Sequence, residues 1–171
     1  MKIAVMGYSG SGKSTLCRKL AEHYQLSLLH LDSIQFLPGW KVRPDAEKQE
    51  IVRSFLDEHP DGWVIDGNYS GLCYAQRCGE ADVIIQMLFG RLDCLFRCGR
   101  RYRLYKGQSR PDMAEGCNEK MDGEFIRWIL RDGRTPKIRE RYRKVRERYP
   151  EKVVLLRNQR QLDAYLKKLS L

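Results

Sequence analysis

The stretch that decides the fold lies near the N-terminus and reads Gly7-Tyr8-Ser9-Gly10-Ser11-Gly12-Lys13-Ser14. It matches the pattern G-x-x-x-x-G-K-[ST], in which glycines let the backbone curl so that its N–H groups surround phosphate oxygens. A chain of this composition would contain about 0.005 such matches by chance. The stretch therefore predicts a phosphate-binding loop.

The residues on both sides of this loop agree with the prediction. The apolar run Lys2–Met6 before it is typical of a strand, and Lys13–Tyr24 after it has leucines at helical spacing. The positive end of that helix would point at bound phosphates. We expect Lys13 to reach the β- and γ-phosphates of ATP and the Ser14 hydroxyl to bind Mg²⁺. The predicted nucleotide-binding residues of the loop are Gly7, Tyr8, Ser9, Gly10, Ser11, Gly12, Lys13, Ser14 and Thr15.

Apolar runs alternate with helical stretches along the rest of the chain. The predicted strands are Lys2–Met6, Leu26–Leu31, Trp63–Ile65, Asp82–Leu88 and Lys152–Leu156. Strands this apolar are buried on both faces, and strands joined through helices form a parallel sheet with right-handed crossovers. The predicted fold is a single doubly wound α/β domain over residues 1–171.

Two aspartates come directly after predicted strands. Asp32 follows the second strand and Asp66 follows the third. Ligands of open α/β sheets bind at the carboxyl ends of the strands, so both carboxylates should face the phosphate loop. We expect Asp66 to hold Mg²⁺ with Ser14, directly or through water. Asp32 would orient or deprotonate an acceptor hydroxyl, while a turn-forming role is the alternative for each aspartate.

The charge of the chain is uneven. Residues 1–90 hold 9 Lys+Arg and 11 Asp+Glu, whereas residues 91–171 hold 23 and 11, which gives net charges of −2 and +12. The basic half must face anionic groups or solvent. The strand–helix alternation is interrupted over residues 91–149. We interpret this stretch as an arginine-rich helical lid on a core formed by residues 1–90 and 150–171.

Within the lid, Arg91–Tyr105 has the pattern of a basic helix, and the polar stretch Lys106–Lys120 is predicted to be a mobile excursion. Residues 91–110 hold seven Lys+Arg against the single acid Asp93, so an open lid would repel itself until it bound a triphosphate. Guanidinium groups stabilise the negative charge that phosphoryl transfer spreads over three oxygens. The helix that follows Thr135-Pro136 carries five arginines that are predicted to form a solvated face: Arg139, Arg141, Arg143, Arg146 and Arg148.

These segments together resemble the adenylate-kinase-like branch of the phosphate-loop kinases, through the loop, Leu31-Asp32 and Ile65-Asp66-Gly67. Three longer segments look more closely like the small bacterial DNA topology modulation proteins. They are Leu31-Asp32 with Pro38-Gly39-Trp40, Trp63-Val64-Ile65-Asp66-Gly67-Asn68-Tyr69, and Gly116-Cys117-Asn118-Glu119. The resemblance covers nearly the whole chain.

The resemblance implies a five-stranded sheet of order 2-3-1-4-5 and an acceptor-binding segment at about residues 33–60. It also implies that Arg97 stacks on the adenine of ATP, that Arg100 or Arg101 reaches the phosphates, and that Arg157 lies near the adenine. The chain departs from adenylate kinases at Asn68-Tyr69-Ser70, where those enzymes carry an aromatic residue, proline and arginine. The arginine that would bind a nucleoside monophosphate is therefore missing from its usual place. The resemblance does not determine the identity of the acceptor.

The sequence thus predicts an enzyme that moves the γ-phosphoryl group of ATP to a small acceptor with the help of Mg²⁺. The predicted catalytic residues are Lys13, Asp32, Arg97, Arg101 and Arg110. Two alternatives stay open: a nucleotide-dependent DNA-binding protein, favoured by the basic half, and a switch that only hydrolyses ATP. No helix-turn-helix or other nucleic-acid-reading pattern is visible in the sequence.

Composition excludes several other classes of protein. Hydrophobic residues make up 42% of the chain, which argues against wholesale disorder. The longest apolar runs are too short to span a membrane, and the N-terminus lacks the apolar core of a secretory signal, so we expect a cytoplasmic protein without a membrane partner. The six cysteines are expected to be free thiols. Cys94, Cys98 and Cys117 lack the paired C-x-x-C spacing of zinc-binding lids.

Overall fold

Five parallel strands form the central sheet in a computed structural model that describes residues 1–171. The strands of the protein are β1 (Lys2–Gly7), β2 (Ser27–His30), β3 (Phe36–Leu37), β4 (Lys41–Val42), β5 (Trp63–Asp66), β6 (Val83–Met87) and β7 (Val153–Leu156). The sheet has the order β2-β5-β1-β6-β7. Counted along the chain, this is the predicted order 2-3-1-4-5, and the predicted α/β fold class is confirmed. Strands β3 and β4 form a separate antiparallel hairpin.

Helices cover both faces of the sheet. They are α1 (Lys13–Tyr24), α2 (Leu31–Gln35), α3 (Asp45–Glu58), α4 (Tyr74–Glu80), α5 (Arg91–Tyr105), α6 (Gly123–Leu130), α7 (Pro136–Arg148) and α8 (Gln159–Lys168). Helix α7 begins as predicted, because the Thr135 side chain accepts a hydrogen bond from the Ile138 N–H and Pro136 takes the first helical position. None of these helices is both long and apolar enough to cross a membrane.

Side chains along β1 alternate between the two faces of the sheet, and the core is therefore divided into two clusters. Ile3 and Val5 of β1 join a cluster with Leu16 and Leu20 of α1. Ala4 and Met6 point to the opposite face, into a cluster with residues of α3 and α7. Because each face of the sheet buries its own cluster, the carboxyl ends of the strands are left free to form a site.

Several elements between the predicted strands were not predicted. The chain forms the five-residue helix α2 directly after β2, then the β3–β4 hairpin, and later the short helix α4. Each is too short to show a periodic pattern in the sequence. Together with α3, the hairpin forms the segment predicted to bind the acceptor.

The segment predicted to be a mobile excursion, residues 106–120, has bridges and buried side chains. This segment, here called the lid loop, pairs with itself through bridges from Lys106 to Glu119 and from Ser109 to Asn118. Met113 and Cys117 are buried, as are two acidic side chains of the loop. Apolar anchors and ion pairs hold the loop in place, which its polar composition concealed.

Candidate functional site

The phosphate loop is closed tightly because its glycines accept contacts that no side chain would allow. Gly7 has φ +150°, and a Cβ atom there would lie 2.2 Å from the carbonyl oxygen of Met87. Gly10 has φ +80°, and a Cβ atom there would lie 2.5 Å from the carbonyl oxygen of Cys94 in α5. The loop therefore packs directly on the first turns of the lid helix.

A single asparagine fixes the start of the loop to the end of β5. The Asn68 side chain accepts a 2.8 Å hydrogen bond from the Gly7 N–H and donates a 2.5 Å bond to the Gly7 carbonyl. The sequence analysis noted Asn68 only in a family-like segment and as part of the departure from adenylate kinases, with no role assigned to its side chain. The structure gives it a two-sided clamp on the backbone of the phosphate loop.

Lys13 and Ser14 stand at the start of α1, with Gly12 in a left-handed conformation before them. The Lys13 Nζ donates a 3.1 Å bond to the carbonyl of Tyr8, so the ammonium group lies over the loop itself. The Ser11 hydroxyl is buried and has no hydrogen-bond partner. Trp128 of α6 closes the outer side of the loop, where its indole N–H donates a 3.2 Å bond to Ser9 Oγ.

Arg97 of α5 lies against the same loop. Its Nη1 donates a 3.1 Å bond to the Ser11 carbonyl, and its Nη2 donates to Gln159 Oε1. The guanidinium also lies 4.7 Å from the centre of the Phe89 ring, which is a cation–π contact. Phe89 thus covers one side of the guanidinium, and only the other side is left for a nucleotide base.

Asp66 ends β5 and is buried. One of its oxygens, Oδ2, accepts a 3.0 Å bond from His30 Nδ1, and the other, Oδ1, is buried without a partner. Asp66 is 5% exposed and does not line the cavity described below. No three His, Cys, Asp or Glu side chains converge on one point. The donors that the sequence assigned to Mg²⁺, the Ser14 hydroxyl and an unpartnered Asp66 oxygen, are of the oxygen type that Mg²⁺ takes together with phosphate and water oxygens.

Asp32 lies on α2 and forms a pair with Tyr69. Its Oδ1 accepts a 2.7 Å hydrogen bond from the Tyr69 hydroxyl. Burial raises the pKa of Asp32 above its ordinary value, and the negative charge of Asp66 raises it further, while the bond from Tyr69 opposes both. Tyr69 belongs to the segment in which the chain differs from adenylate kinases. The hydrogen-bond partner of Asp32 is therefore one of the residues that differ.

One large cavity joins the phosphate loop to Asp32. Its volume is about 1590 Å³, whereas a typical small-molecule site has roughly 300–1,000 Å³, so it has room for two ligands. Its wall includes most of the predicted loop residues: Tyr8, Ser9, Gly10, Gly12, Lys13, Ser14 and Thr15. Gly7 and Ser11 do not line the cavity.

The far end of this cavity is built by the segment predicted to bind the acceptor. Phe36 and Trp40 supply aromatic rings, which meet edge to face at 5.1 Å. The buried Lys48 of α3 donates a 3.1 Å bond to Gln35 Oε1 and forms a 2.6 Å ion pair with Asp45. This end therefore combines apolar rings with polar groups already held in position.

Four charged side chains of the lid form one cluster above the loop. Arg101 and Arg110 both contact Glu119, at 2.7 Å and 2.6 Å, and Arg110 also contacts Asp112 at 2.6 Å. Burial acts to raise the pKa of Asp112, but the charge of Arg110 and the nearby Ser14 hydroxyl outweigh it, and the pKa lies below its ordinary value. Two acids beyond residue 110 thus neutralise two of the seven basic residues on which the predicted self-repulsion of the lid rests.

The other predicted arginines fall into three groups. Arg100 lines the cavity, as do Arg97, Arg101 and Arg110. Arg141 also lines it and donates a 3.4 Å bond to the Asn68 carbonyl, so its assignment to a solvated face is wrong. Arg146 was misassigned as well, because it donates a 2.8 Å bond to the buried side chain of Gln86. Arg157 is exposed and lies outside the cavity wall.

Solved structures of other proteins share this fold, and two of them are kinases by name. The chain superposes on shikimate kinase from Acinetobacter baumannii in complex with shikimate, with a TM-score of 0.54 and 17% identity over 99% of this chain and 93% of that one. It superposes on deoxyadenosine kinase from M. mycoides with bound dATP, with a TM-score of 0.52 and 14% identity over 100% of both chains. An uncharacterized protein from Eubacterium ventriosum gives a TM-score of 0.53 and 15% identity over 99% and 98%. At these identities the likeness shows the fold alone.

Comparison of the amino-acid sequence with known proteins matches a smaller part of the chain than comparison of the structure. No protein-family model matches the chain. A tRNA dimethylallyltransferase from Synechococcus sp. (strain CC9311) is 39% identical over 57 residues, which are 32% of this chain and 18% of that protein. The chain spans less than a fifth of that relative, whose activity is therefore not carried over. The general resemblance to phosphate-loop kinases is supported by the fold, and the narrower resemblance to DNA topology modulation proteins stays a prediction.

Proposed function

We propose that the protein is a Mg²⁺-dependent phosphotransferase that moves the γ-phosphoryl group of ATP to a small acceptor. The observation that carries this proposal is the continuity of one cavity, which runs from the phosphate loop at Lys13 to the Asp32–Tyr69 pair. A protein that only hydrolysed ATP would need no second end with its own aromatic and charged lining.

The donor would lie along the loop with its phosphates against the backbone N–H groups. Lys13 would leave the Tyr8 carbonyl to reach the β- and γ-phosphates, since both lie at the same loop. Ser14 would hold Mg²⁺ directly and Asp66 through water, because Ser14 lines the cavity and Asp66 does not. The bound cation would neutralise charge on the β- and γ-phosphate oxygens. Arg97 would offer its open face to the adenine, as the resemblance implies.

The acceptor would lie between Asp32, the segment 33–60 and the lid. An acceptor hydroxyl oxygen forms the new bond to the γ-phosphorus while the bond to the β-phosphate oxygen breaks, and ADP leaves. The hydroxyl proton passes to the Asp32 carboxylate, whose raised pKa favours taking it. Arg101 and Arg110 line the cavity above this path and would stabilise charge on the transferred group.

The test is a panel of nucleosides, nucleotides and small alcohols, each incubated with enzyme and Mg-ATP. We expect ADP formation to rise with at least one acceptor, and a phosphorylated product to appear in equal amount. ADP that is always matched by free phosphate would identify a hydrolase instead.

A salt series tests the DNA-binding alternative, which rests on the +12 net charge of residues 91–171. The structure pairs several lid arginines with acids, among them Arg101, Arg110, Arg127 and Arg143. We therefore expect duplex DNA to bind weakly at physiological salt. Tight and steeply salt-dependent DNA binding that survives Lys13→Ala would favour the alternative.

A further inference from the structure

We propose that Glu119 is a positioning residue, which holds the guanidinium groups of Arg101 and Arg110 in place for phosphoryl transfer. This inference rests on the proposed function. Glu119 belongs to the lid loop and is the most deeply buried carboxylate of the charged cluster, with its side chain 2% exposed. Glu119 lines the same cavity as Lys13 and Ser14. An unpaired carboxylate there would repel a bound phosphate, so the role of Glu119 must lie in its pairing with other groups.

The geometry shows one carboxylate shared by two arginines from different segments. Glu119 Oε1 accepts from Arg101 at Nε (2.8 Å) and lies 2.7 Å from Arg101 Nη2. Glu119 Oε2 lies 2.6 Å from Arg110 Nε, although that N–H is not aligned for a hydrogen bond. The aligned bond of Arg110 goes from Nη1 to Asp112, at 2.6 Å. Glu119 thus orients Arg101 through a directional hydrogen bond and holds Arg110 through electrostatic attraction.

Each arginine keeps a donor for a ligand. Arg101 Nη1 and Arg110 Nη2 make no hydrogen bond or ion pair within the protein, and both residues line the cavity. The acids therefore occupy the inner edges of the guanidinium groups and leave one terminal nitrogen on each. A donor held in one direction stabilises developing charge without having to reorganise first.

Glu119 is also tied to the acceptor end of the cavity through its neighbours in the chain. Cys117 donates a 3.3 Å bond from Sγ to the Leu37 carbonyl, and the Trp40 indole N–H donates a 3.2 Å bond to the Asn118 carbonyl. The residue before Glu119 is therefore fixed to the hairpin that lines the acceptor end. Through this connection Glu119 sets the two arginines relative to the acceptor as well as to the phosphate loop.

A positioning role and a purely structural role predict different changes in Glu119→Gln. The amide keeps the size of the carboxylate but can accept from only one arginine, and it removes one negative charge from the phosphate site. Mg-ADP should then bind as tightly as to the wild type, or more tightly, because a repulsive charge is gone. The transition-state mimic Mg-ADP-aluminium fluoride should bind at least about tenfold more weakly, because its tight binding needs both arginines in place.

The experiment measures the affinities of both complexes by titration calorimetry, in the wild type, Glu119→Gln, Glu119→Asp and Glu115→Gln. Glu115 is an exposed acid of the same lid loop without an ion pair, so Glu115→Gln controls for the loss of charge alone. We expect Glu115→Gln to match the wild type. Glu119→Asp, which keeps the charge, should recover part of the lost affinity for the aluminium fluoride complex.

Equal binding of the aluminium fluoride complex by Glu119→Gln and the wild type would overturn the inference. Equal loss of both affinities would also overturn it, because it would indicate a structural role. If Glu119→Gln fails to fold, Arg101→Lys serves instead: it keeps the charge but not the paired geometry, and an undiminished affinity for the mimic would refute the positioning role. A wild type that binds Mg-ADP but forms no aluminium fluoride complex would overturn the proposed function itself, and this inference with it.

Discussion

The Tyr69 hydroxyl donates its hydrogen bond to Asp32 at 2.7 Å, across 37 positions of the chain. Tyr69 follows the clamp residue Asn68, and Asp32 lies on the short helix after β2, so the bond joins the ends of two neighbouring sheet strands. The bond stabilises the ionised carboxylate that burial and Asp66 disfavour. The pair therefore holds a carboxylate in the cavity with a pKa tuned between opposing effects.

Replacing Tyr69 by Phe should change the pH profile of transfer. The variant loses the hydrogen bond that favours ionised Asp32, so the pKa of Asp32 rises further. A general base works only when deprotonated, so the acidic limb of kcat/KM should move to higher pH, with little change at high pH. The measurement is kcat/KM from pH 5 to pH 9 for both proteins. An acidic limb that stays in place would remove Asp32 as the base.

Replacing Asp32 by Asn should raise the melting temperature at neutral pH while it lowers activity. Because the pKa of Asp32 is raised in the folded protein, its contribution to stability is full below the ordinary pKa of about 4 and is lost as pH rises through the raised value. The amide avoids that loss and can still accept from Tyr69. Thermal melts at pH 7 and pH 4 should show a stabilised variant at pH 7 only, and transfer should fall by about 10²–10⁴-fold. A variant that melts lower than the wild type at pH 7 would contradict the raised pKa.

Replacing Asn68 by Ala should weaken both the fold and the nucleotide site. The variant leaves the N–H and the carbonyl of Gly7 without their side-chain partners, at a cost of about 1–3 kcal/mol in the free energy of unfolding. Urea unfolding and Mg-ADP titration measure the two effects. Asn118→Ala is the matched control, because the exposed Asn118 side chain bonds only the Ser109 hydroxyl. Unchanged Mg-ADP affinity in Asn68→Ala would show that the clamp does not shape the loop.

Replacing Arg141 by Gln should affect the acceptor more than the donor. Arg141 lines the cavity beside Asn68 and has no carboxylate partner, so its charge is available to a ligand. We expect the KM of the acceptor found with the panel to rise at least about tenfold, the usual effect of losing a charge-assisted hydrogen bond, with Mg-ADP affinity unchanged. Arg139→Gln is the control, since Arg139 is exposed on the same helix and does not line this cavity. Equal effects of Arg141→Gln and Arg139→Gln on the KM would show that the loss of one positive charge raises the KM, and that no specific contact of Arg141 with the acceptor is involved.

The predictable parts of this molecule are those that local patterns specify. The glycine and lysine spacing of the loop, the apolar strands and the Thr135-Pro136 helix start each depend on residues within a few positions of one another. The strand order came from a family resemblance and agrees with the structure. The proximity of Asp32 to the phosphate loop followed from the rule for carboxyl ends of strands.

The parts that escaped prediction depend on contacts between distant residues. The Asn68 clamp joins positions 61 apart, and the Trp40 bond to Asn118 joins positions 78 apart. Glu119 was noticed only as part of a family-like segment, because nothing in the sequence shows that it faces Arg101. Arg141 left a weak signal: it stands next to the buried Tyr142 and three residues after Ile138, at the edge of the apolar stripe of α7.

The central claim is that the loop from Gly7 to Thr15 holds a triphosphate for transfer, and Lys13→Ala tests it most directly. The measurement follows labelled γ-phosphate from Mg-ATP into product, in the wild type and the variant, alongside thermal melts of both. We predict that Lys13→Ala lowers transfer by at least about 10²-fold while the melting temperature of the free protein stays nearly unchanged. A folded Lys13→Ala variant that transfers phosphate at the wild-type rate would contradict the account.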